Sequence, residues 1–488
     1  MKLPLLSGSR LVLGTLPDVA EILTPPPPLD ALRDVRAAVA EALRYPLSGE
    51  ALDRLVSRGH RATVVVGPPI LPLPGASGDP RREALAAVLD ELEDAGVSPD
   101  DQTILIAGGL ERRANRDELE WLLPPVRARD FRGTLVVHDC EADDLVPLDV
   151  DAPVAVRVNP ALLHADVVVC LSAAETVLHG GPATLGAACG PAVARTLQAE
   201  SLLEPHSAIG WELATAIEES LARQVPVIGV SLVLDLPHRS RGFVHPLARL
   251  ALNVLPEASR RRTLDRTIRD LSAVAVMAGP PSVAHAEALL RGTTLRAIEL
   301  DGTFDTIVIP IPWQDAHRPR GIPNPVTVAA LGLGLAMRLW RDRPPLTAGG
   351  TIVLVHPFSR TIGHGPQAPY RAALGALLEG PHAGRLAKAE AIAIRDRKAI
   401  GAYRSGKAPH PRLPFADWDS CAPAIAHAGR VIVAGCRDAS AARSLGFVPS
   451  HNLTTAVGMG LGIAAGGRLG VLVAPPFAPL VQAASART

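Results

Sequence analysis

The sequence predicts an α/β fold of two domains, each with a mainly parallel sheet flanked by helices. Three observations carry that expectation. Short apolar, β-branched runs alternate with segments whose apolar residues recur every three or four positions, the mark of strands alternating with amphipathic helices. A second such series begins near Asp301, after an arginine-rich interruption. At 488 residues, the chain is long enough for two or three cores.

The elements follow in order. In the first unit, RATVVVGPP, QTILIAGG, GTLVVHD, APVAVRVN, ADVVVCLSA and VPVIGVSLVLD each read as a strand bounded by turn residues. RREALAAVLDELEDAG, RDELEWLLPPV and AIGWELATAIEESLARQ read as helices between them. PPPP at 25–28 is a stiff surface segment. The first domain is taken as 1–298. It contains an arginine-rich insertion at about 238–276, read as one or two helices with a solvated face or as a partner-docking arm. The second domain, 299–488, has the strands FDTIVIPIP, GGTIVLVHPF, GRVIVAGC and LGVLVAPPF. RAALGALLEG, ASAARSLG and NLTTAVGMGLGIAAGG supply its turns and helices.

Lys+Arg and Asp+Glu number 49 each, so no global field favours nucleic acid or an anionic membrane. No apolar run of about 18 residues suggests a spanning helix, and the N-terminal stretch is too interrupted for a secretory signal. Five scattered cysteines without metal-like spacing fit a reducing, cytoplasmic compartment. The oligomeric state is not readable from the sequence.

Ligands of doubly wound sheets sit beyond the carboxyl ends of the strands, so the post-strand loops are the places for chemistry. Glu111-Arg112-Arg113 follows IAGGL; its carboxylate reads as a general base or as a helix-start acid. His138-Asp139, with Glu141, Asp143 and Asp144 behind, offers oxygen and imidazole donors without a ligand spacing. ETVLHGGPATLGAACGP (175–191) has glycines that permit close backbone approach but lacks the phosphate-loop lysine and hydroxyl. GGTIVLVHPFSRTIGHG (349–365) gathers His356, Ser359, Arg360 and His364, a set able to bind a carboxylate or move a proton. Cys189 and Cys436 follow small residues but show no histidine partner nearby.

Taken in order, these segments resemble the nickel-dependent lactate racemase family over almost the whole chain. RAAVAEALRYPLSGEALDRLVSRGHRATVVV is similar to its opening helix, turn and first core strand. ILPLPG, IAGGLERRANRDEL and HADVVVCLSAAETVLHGGPATLGAACGP stand where the family has its substrate and catalytic loops. GGTIVLVHPFSRTIGHG resembles a strand and loop of the second domain, and DWDSC puts Trp418 where a tryptophan often stands. The resemblance implies a two-domain protein that racemises or epimerises 2-hydroxy acids with a nickel pincer nucleotide held by a lysine.

Against that pattern the chain departs systematically. The resemblance implies an arginine at Leu71, an aspartate near Pro68 and a catalytic histidine at Glu111, beside a retained arginine, Arg112. It implies a second catalytic histidine at Val177 and the cofactor lysine at Ala187. The nickel-ligand histidine falls near Glu200 or Ser201, with His206 reachable only across a gap, and a polar pair becomes Val328 and Leu331. Racemisation needs a hydride acceptor and acid/base groups on both faces of the carbon. Two expectations follow. One is a divergent, non-catalytic member that binds a small organic acid or a protein partner and carries no cofactor and no metal. The other is an active isomerase with replaced groups. It would use Glu111, His179 and His364 as catalytic groups and Arg112, Glu175, Arg360 and Trp418 as substrate contacts.

Overall fold

Two six-stranded sheets organise the protein, seen in a computed structural model that describes residues 1–69, 79–115, 118, 121–236, 252–266, 271–313, 323–360, 362, 365–462 and 467–483. The chain opens with a hairpin, Lys2–Ser7 paired antiparallel with Arg10–Thr15, and continues into β1 (Ala20–Leu23). The first sheet takes β2 (Ala62–Val66), β3 (Gln102–Ile106), β4 (Thr134–Val137), β5 (Val167–Ala173), β6 (Val227–Leu234) and β7 (Ala273–Gly279). Its order is β7-β6-β5-β2-β3-β4, parallel throughout except for β7 against β6.

Alternation along each strand divides two cores. Val64 and Val66, with Ile104 and Ile106, face α1 (Val35–Arg44) and α2 (Arg81–Asp94). Val65 and Leu105 face the other way, toward Leu185 on α3 (Pro182–Gly186), Val193 on α4 (Pro191–Thr196), and Leu213, Ile217 and Leu221 on α5 (Ile209–Ala222). A further helix, α6 (Pro281–Arg296), packs on β6 and β7. Strands covered on both faces must be apolar at every position, which is why these runs stand out in the sequence.

The second sheet takes β8 (Phe304–Pro310), β9 (Leu346–Val355), β10 (Arg430–Ala434), β11 (Val448–Ser450) and β12 (Leu469–Leu472) in the order β11-β10-β9-β8-β12-β1, all parallel. On the side toward the first unit lie α7 (Pro325–Ala329), its π-helical continuation Ala330–Leu335, α8 (Ala383–Ala393), α9 (Arg397–Arg404) and α10 (Leu413–Asp419). Asn324 starts α7 by accepting from the N–H groups of Val326 and Thr327. On the opposite face α11 (Leu453–Leu461) packs Leu453, Ala456 and Val457 on Val308, Val353 and Ile432.

The α/β expectation stands, with differences in detail. Residues 1–23 were expected with the first unit; β1 instead closes the edge of the second sheet. APVAVRVN forms no strand of the main sheets: Arg157–Val158 pair with Val146–Pro147, and Val158 also bridges Cys189 while Val156 and Val158 are buried in the core. The insertion read to residue 276 ends earlier, since AVAVMAG is β7, the antiparallel edge. Of its arginine-rich part, Glu257–Asp265 is helical and packs Leu264 with Leu252 against Leu6, Leu11 and Trp313. Arg260 there is buried and bonds the Leu255 carbonyl and Ser9 Oγ, so this face is not wholly solvated. ILPLPG, with Leu71, and residues 116, 117, 119 and 120 of RDELEWLLPPV lie outside the described residues, as do 237–251 and 267–270; the last two residues of RDELEWLLPPV open a helix that runs Pro125–Asp130. No helix among the described residues is long and apolar enough to cross a membrane.

Candidate functional site

The glycine-rich loop after β5 is held from below by a histidine. Past Ala173 the chain turns inward, burying Glu175, Thr176 and Val177, and then returns toward the surface at His179. Gly180 and Gly181 have φ of 108° and 50°, a region that disfavours side chains. A Cβ on Gly180 would stand 2.3 Å from Cε1 of His285, and one on Gly181 2.4 Å from its Cβ. His285, from α6, donates through Nε2 to the Thr176 carbonyl at 3.0 Å. Its Nδ1 therefore accepts, with the Ser172 and Ser231 hydroxyls each at 3.4 Å. Ser172 Oγ also accepts from the Gly181 N–H at 2.9 Å. Burial pulls the His285 pKa down to about 4, which keeps the ring neutral.

A cavity of about 310 Å³ lies between the two units, over the carboxyl ends of β2, β3 and β5. Glu111, Arg112 and His179 line it from the first unit, as do Ser172, Thr184 and Ala187. The second unit adds Thr327 and Leu331 from the α7 segment, Arg338 just beyond it, and Asp417 of α10. Most of the remaining wall is leucine and alanine.

The charged groups at this wall are tied into the scaffold. Arg81 makes paired bonds to Asp79 at 2.9 and 2.6 Å and a third to the Pro68 carbonyl. Arg112 pairs with Glu118 and reaches the Gly406 carbonyl at 3.1 Å. Arg338 donates to the carbonyls of Ala199, Glu200, Gly334 and Ser420, and burial lowers its pKa to about 10. Asp417 accepts from the Tyr370 hydroxyl at 2.5 Å. His179 Nδ1 lies 2.8 Å from Thr176 Oγ1.

One flank of the cavity is a polar seam between the units. Tyr403 of α9 donates to the Gly109 carbonyl at 3.2 Å and accepts from the Cys140 N–H. His410 meets Glu141 at 3.0 Å, Arg404 meets Asp139 at 3.1 Å, and Arg195 bridges Glu390 and Asp419. The acidic run after β4 thus serves this seam. His138 beside it is buried, donating through Nε2 to the Cys189 carbonyl. No group of three or more His, Cys, Asp or Glu is placed to hold a metal among the described residues.

The sequence-predicted residues therefore separate. Glu111, Arg112 and His179 share the cavity. Glu175 turns away from it, and its charge partly offsets the burial that lowers the pKa of Arg296. Arg360 lies on the surface in a two-pronged pair with Asp438 at 2.6 and 3.1 Å. Trp418 lines a second cavity of about 230 Å³ with Arg195, Glu390 and Phe415. His364 lies outside the described residues. His356 is buried beneath its loop, its Nδ1 accepting from the Phe358 N–H. Burial raises the Cys140, Cys170 and Cys189 thiols to about 12, so none supplies a thiolate. Sequence reading missed Ser172, His285, Arg338 and Asp417. Ser172, at the end of an apolar run, was the one with a local signal.

The residues present do not fit a lysine-tethered nickel group. Ala187 caps α3 with a methyl group at the cavity, no lysine lines the wall among the described residues, and His206 is a surface residue 3.7 Å from Glu204.

Residues 11–180 match the family model described as lactate racemase N-terminal domain. The lactate racemase apoprotein from Thermoanaerobacterium thermosaccharolyticum superposes with a TM-score of 0.63 at 15% identity, covering 99% of this chain and 100% of that one. A structural-genomics target from Thermotoga maritima gives 0.50 at 11% identity, covering 92% and 97%. At these identities the likeness is one of fold. No curated protein matches the chain.

Proposed function

We propose, from the premise that residues 11–180 belong to the lactate racemase N-terminal domain family, that this protein keeps the interdomain cleft as a small-ligand site and has given up the nickel pincer reaction. One observation carries the reading. The cleft persists at the strand ends and is walled by both units, while the positions of the implied tether and catalytic histidines hold Ala187, buried Val177 and Glu111. A tether needs an amine and two-sided proton transfer needs a group on each face of the carbon; the methyl of Ala187 and the core packing of Val177 supply neither.

The test is to produce the chain beside the enzymes that make the nickel pincer nucleotide, then measure bound nickel and interconversion of D- and L-lactate. We expect far less than one nickel per chain and no racemisation. Stoichiometric nickel with the absorbance of the pincer would overturn the proposal.

A second reading, an isomerase using replaced groups, has one observation in its favour: Glu111 and His179 line the same cavity. It requires nickel-free exchange of the C2 hydrogen of a 2-hydroxy acid with deuterated solvent, lost in Glu111→Gln. On the first reading no exchange occurs.

A further inference from the structure

The tip of the opening hairpin lies across the carboxyl ends of strands in the second sheet. The Gly8 N–H donates to the carbonyl of Ile311, one residue past β8. Past β9, His356 sits under the tip: a Cβ on Gly8, whose φ is 58°, would stand 3.5 Å from its Nε2. Past β10, a Cβ on Gly435 would stand 4.0 Å from Ser7 Oγ, and the Arg437 N–H donates to the Pro357 carbonyl at 2.8 Å. The Glu257–Asp265 helix brings Arg260 to the same tip, its Nε donating to Ser9 Oγ at 3.3 Å and its Nη1 to the Leu255 carbonyl at 2.6 Å. Strand ends of this kind are where doubly wound sheets bind ligands. None of these residues lines the interdomain cleft.

Two groups buried here keep donors in reserve. His356 is 3% exposed and Arg260 6%. His356 Nδ1 accepts from the Phe358 N–H at 3.1 Å, so the neutral ring carries its proton on Nε2, and that N–H meets no acceptor among the described residues. Arg260 Nη2 is likewise without an acceptor among them.

The charge around Arg260 is one-sided. Burial depresses its pKa, and the positive charges of Arg10, Arg261 and Arg437 depress it further against the one opposing charge of Glu257. Glu257 is itself committed to Arg261 at 2.7 Å. Asp265 accepts from the Trp313 indole at 3.0 Å, and Asp438 is held by both prongs of Arg360. Arg10 and Arg437 are exposed and form no ion pair among the described residues. A buried cation without a carboxylate, crowded by further cations, is costly. An anion seated beside it would relieve that cost.

We infer that the carboxyl ends of the second sheet form an anion site, separate from the interdomain cleft, that takes a phosphate group as the free ion or as a small phosphomonoester. Arg10, Arg260 and Arg437 supply the charge, and His356 Nε2 and Arg260 Nη2 the inner donors. One guanidinium fork satisfies a carboxylate, whereas a phosphate dianion has several oxygens for donors arriving from a hairpin, a helix and two strand ends.

The experiment titrates inorganic phosphate, glycerol 3-phosphate and acetate into the full chain by calorimetry, at one ionic strength set with sodium chloride. Three variants are compared: Arg10→Gln together with Arg437→Gln, Arg260→Gln alone, and Ala187→Leu, which crowds the cleft instead. Circular dichroism checks the fold of each. The expected result is saturable one-site binding of phosphate or glycerol 3-phosphate, at least about tenfold tighter than acetate and at least about tenfold weaker when Arg10 and Arg437 are both replaced. Arg260→Gln should abolish it; should that buried change disturb the fold, the exposed pair decides. Glycerol 3-phosphate binding tighter than phosphate identifies an esterified ligand, and phosphate at least as tight identifies the free ion. Affinity in Ala187→Leu should equal that of the parent. Acetate binding as tightly as phosphate, an affinity indifferent to the loss of Arg10 and Arg437, loss of binding in Ala187→Leu, or no saturable binding at all each overturns the inference.

Discussion

His285 and His356 are neutral because the protein surrounds them, and that neutrality links stability to pH. Burial depresses their pKa values to about 4 and about 3, below the ordinary value of 6.5. Below pH 6.5 the unfolded chain takes up protons that the folded chain refuses. The stabilisation is therefore fully present above pH 6.5 and is lost as pH falls toward 4 and then 3. Glu218 acts in the opposite sense. It bonds the N–H and hydroxyl of Ser282 at the start of α6, and burial raises it to about 7 from 4.5. Its contribution is full below pH 4.5 and is lost as pH rises through 7. Each group is worth on the order of a few kcal/mol at about 1.4 kcal/mol per unit. Two histidines outweigh one glutamate, so the urea midpoint should fall between pH 6.5 and 4, and His285→Gln should flatten part of that slope. Glu218→Gln should steepen it. A midpoint that rises on acidification would contradict this balance. His356 stands out in the sequence as a loop histidine, but the burial of all three groups does not, because His285 and Glu218 meet residues more than fifty positions away and His356 lies beneath its own loop.

At the scale of elements, the π-helical segment Ala330–Leu335 supplies part of the second unit's wall of the cleft. Its glycines let the segment pack closely on its own unit: a Cβ on Gly334 would fall 2.1 Å from Ser420 Oγ, and one on Gly332 2.5 Å from Leu354 Cδ2. Gly334→Ala should destabilise by about 1–3 kcal/mol through overpacking. Ser420→Ala should restore most of that loss, because the conflict is with the hydroxyl; a double-mutant cycle in urea shows the coupling. If Ser420→Ala gives no relief, the crowding lies in the backbone. The strands themselves were easy to read because double-sided burial writes them as unbroken apolar runs, as in Val64–Val66 and Val167–Cys170. Of the segment LGLGL only Leu331 was tied to the site, through the family resemblance. Its leucines alternate with the spacing of a strand although the segment is helical, and its packing depends on Ser420 and Leu354 elsewhere. β7 was absorbed into the arginine-rich run preceding it.

At the scale of the molecule, the two units are joined around the cleft by Arg338 and by the seam of Tyr403, His410, Arg404 and Arg195. Arg338→Met keeps the length of the chain and removes every donor, leaving buried carbonyls in both units without their partner. It should cost about 2–4 kcal/mol, read as a lower unfolding midpoint and as faster proteolysis between the units. Arg338→Lys should recover only part, since three donors on a flexible stem cannot reproduce the planar fork. Equal stability of all three proteins would show that the arginine is dispensable. The glycine loop and the strand-end cleft were legible because local composition specifies them. The partners of the cleft's arginines were not, because Arg112 with Gly406 and Arg338 with Ala199 join distant parts of the chain.

The pairing of β1 with β12 also sets the order in which the protein can be finished during synthesis. Ala20 aligns with Leu469, and Leu23 with Leu472. At roughly 5–20 residues per second, the opening strand waits about 20–90 s after it is made for the strand that receives it. The first sheet lacks no strand once Gly279 has been made, so it can assemble long before the second. A ribosome that stops short of residue 469 would release a chain with a folded first unit and an open sheet edge on β8.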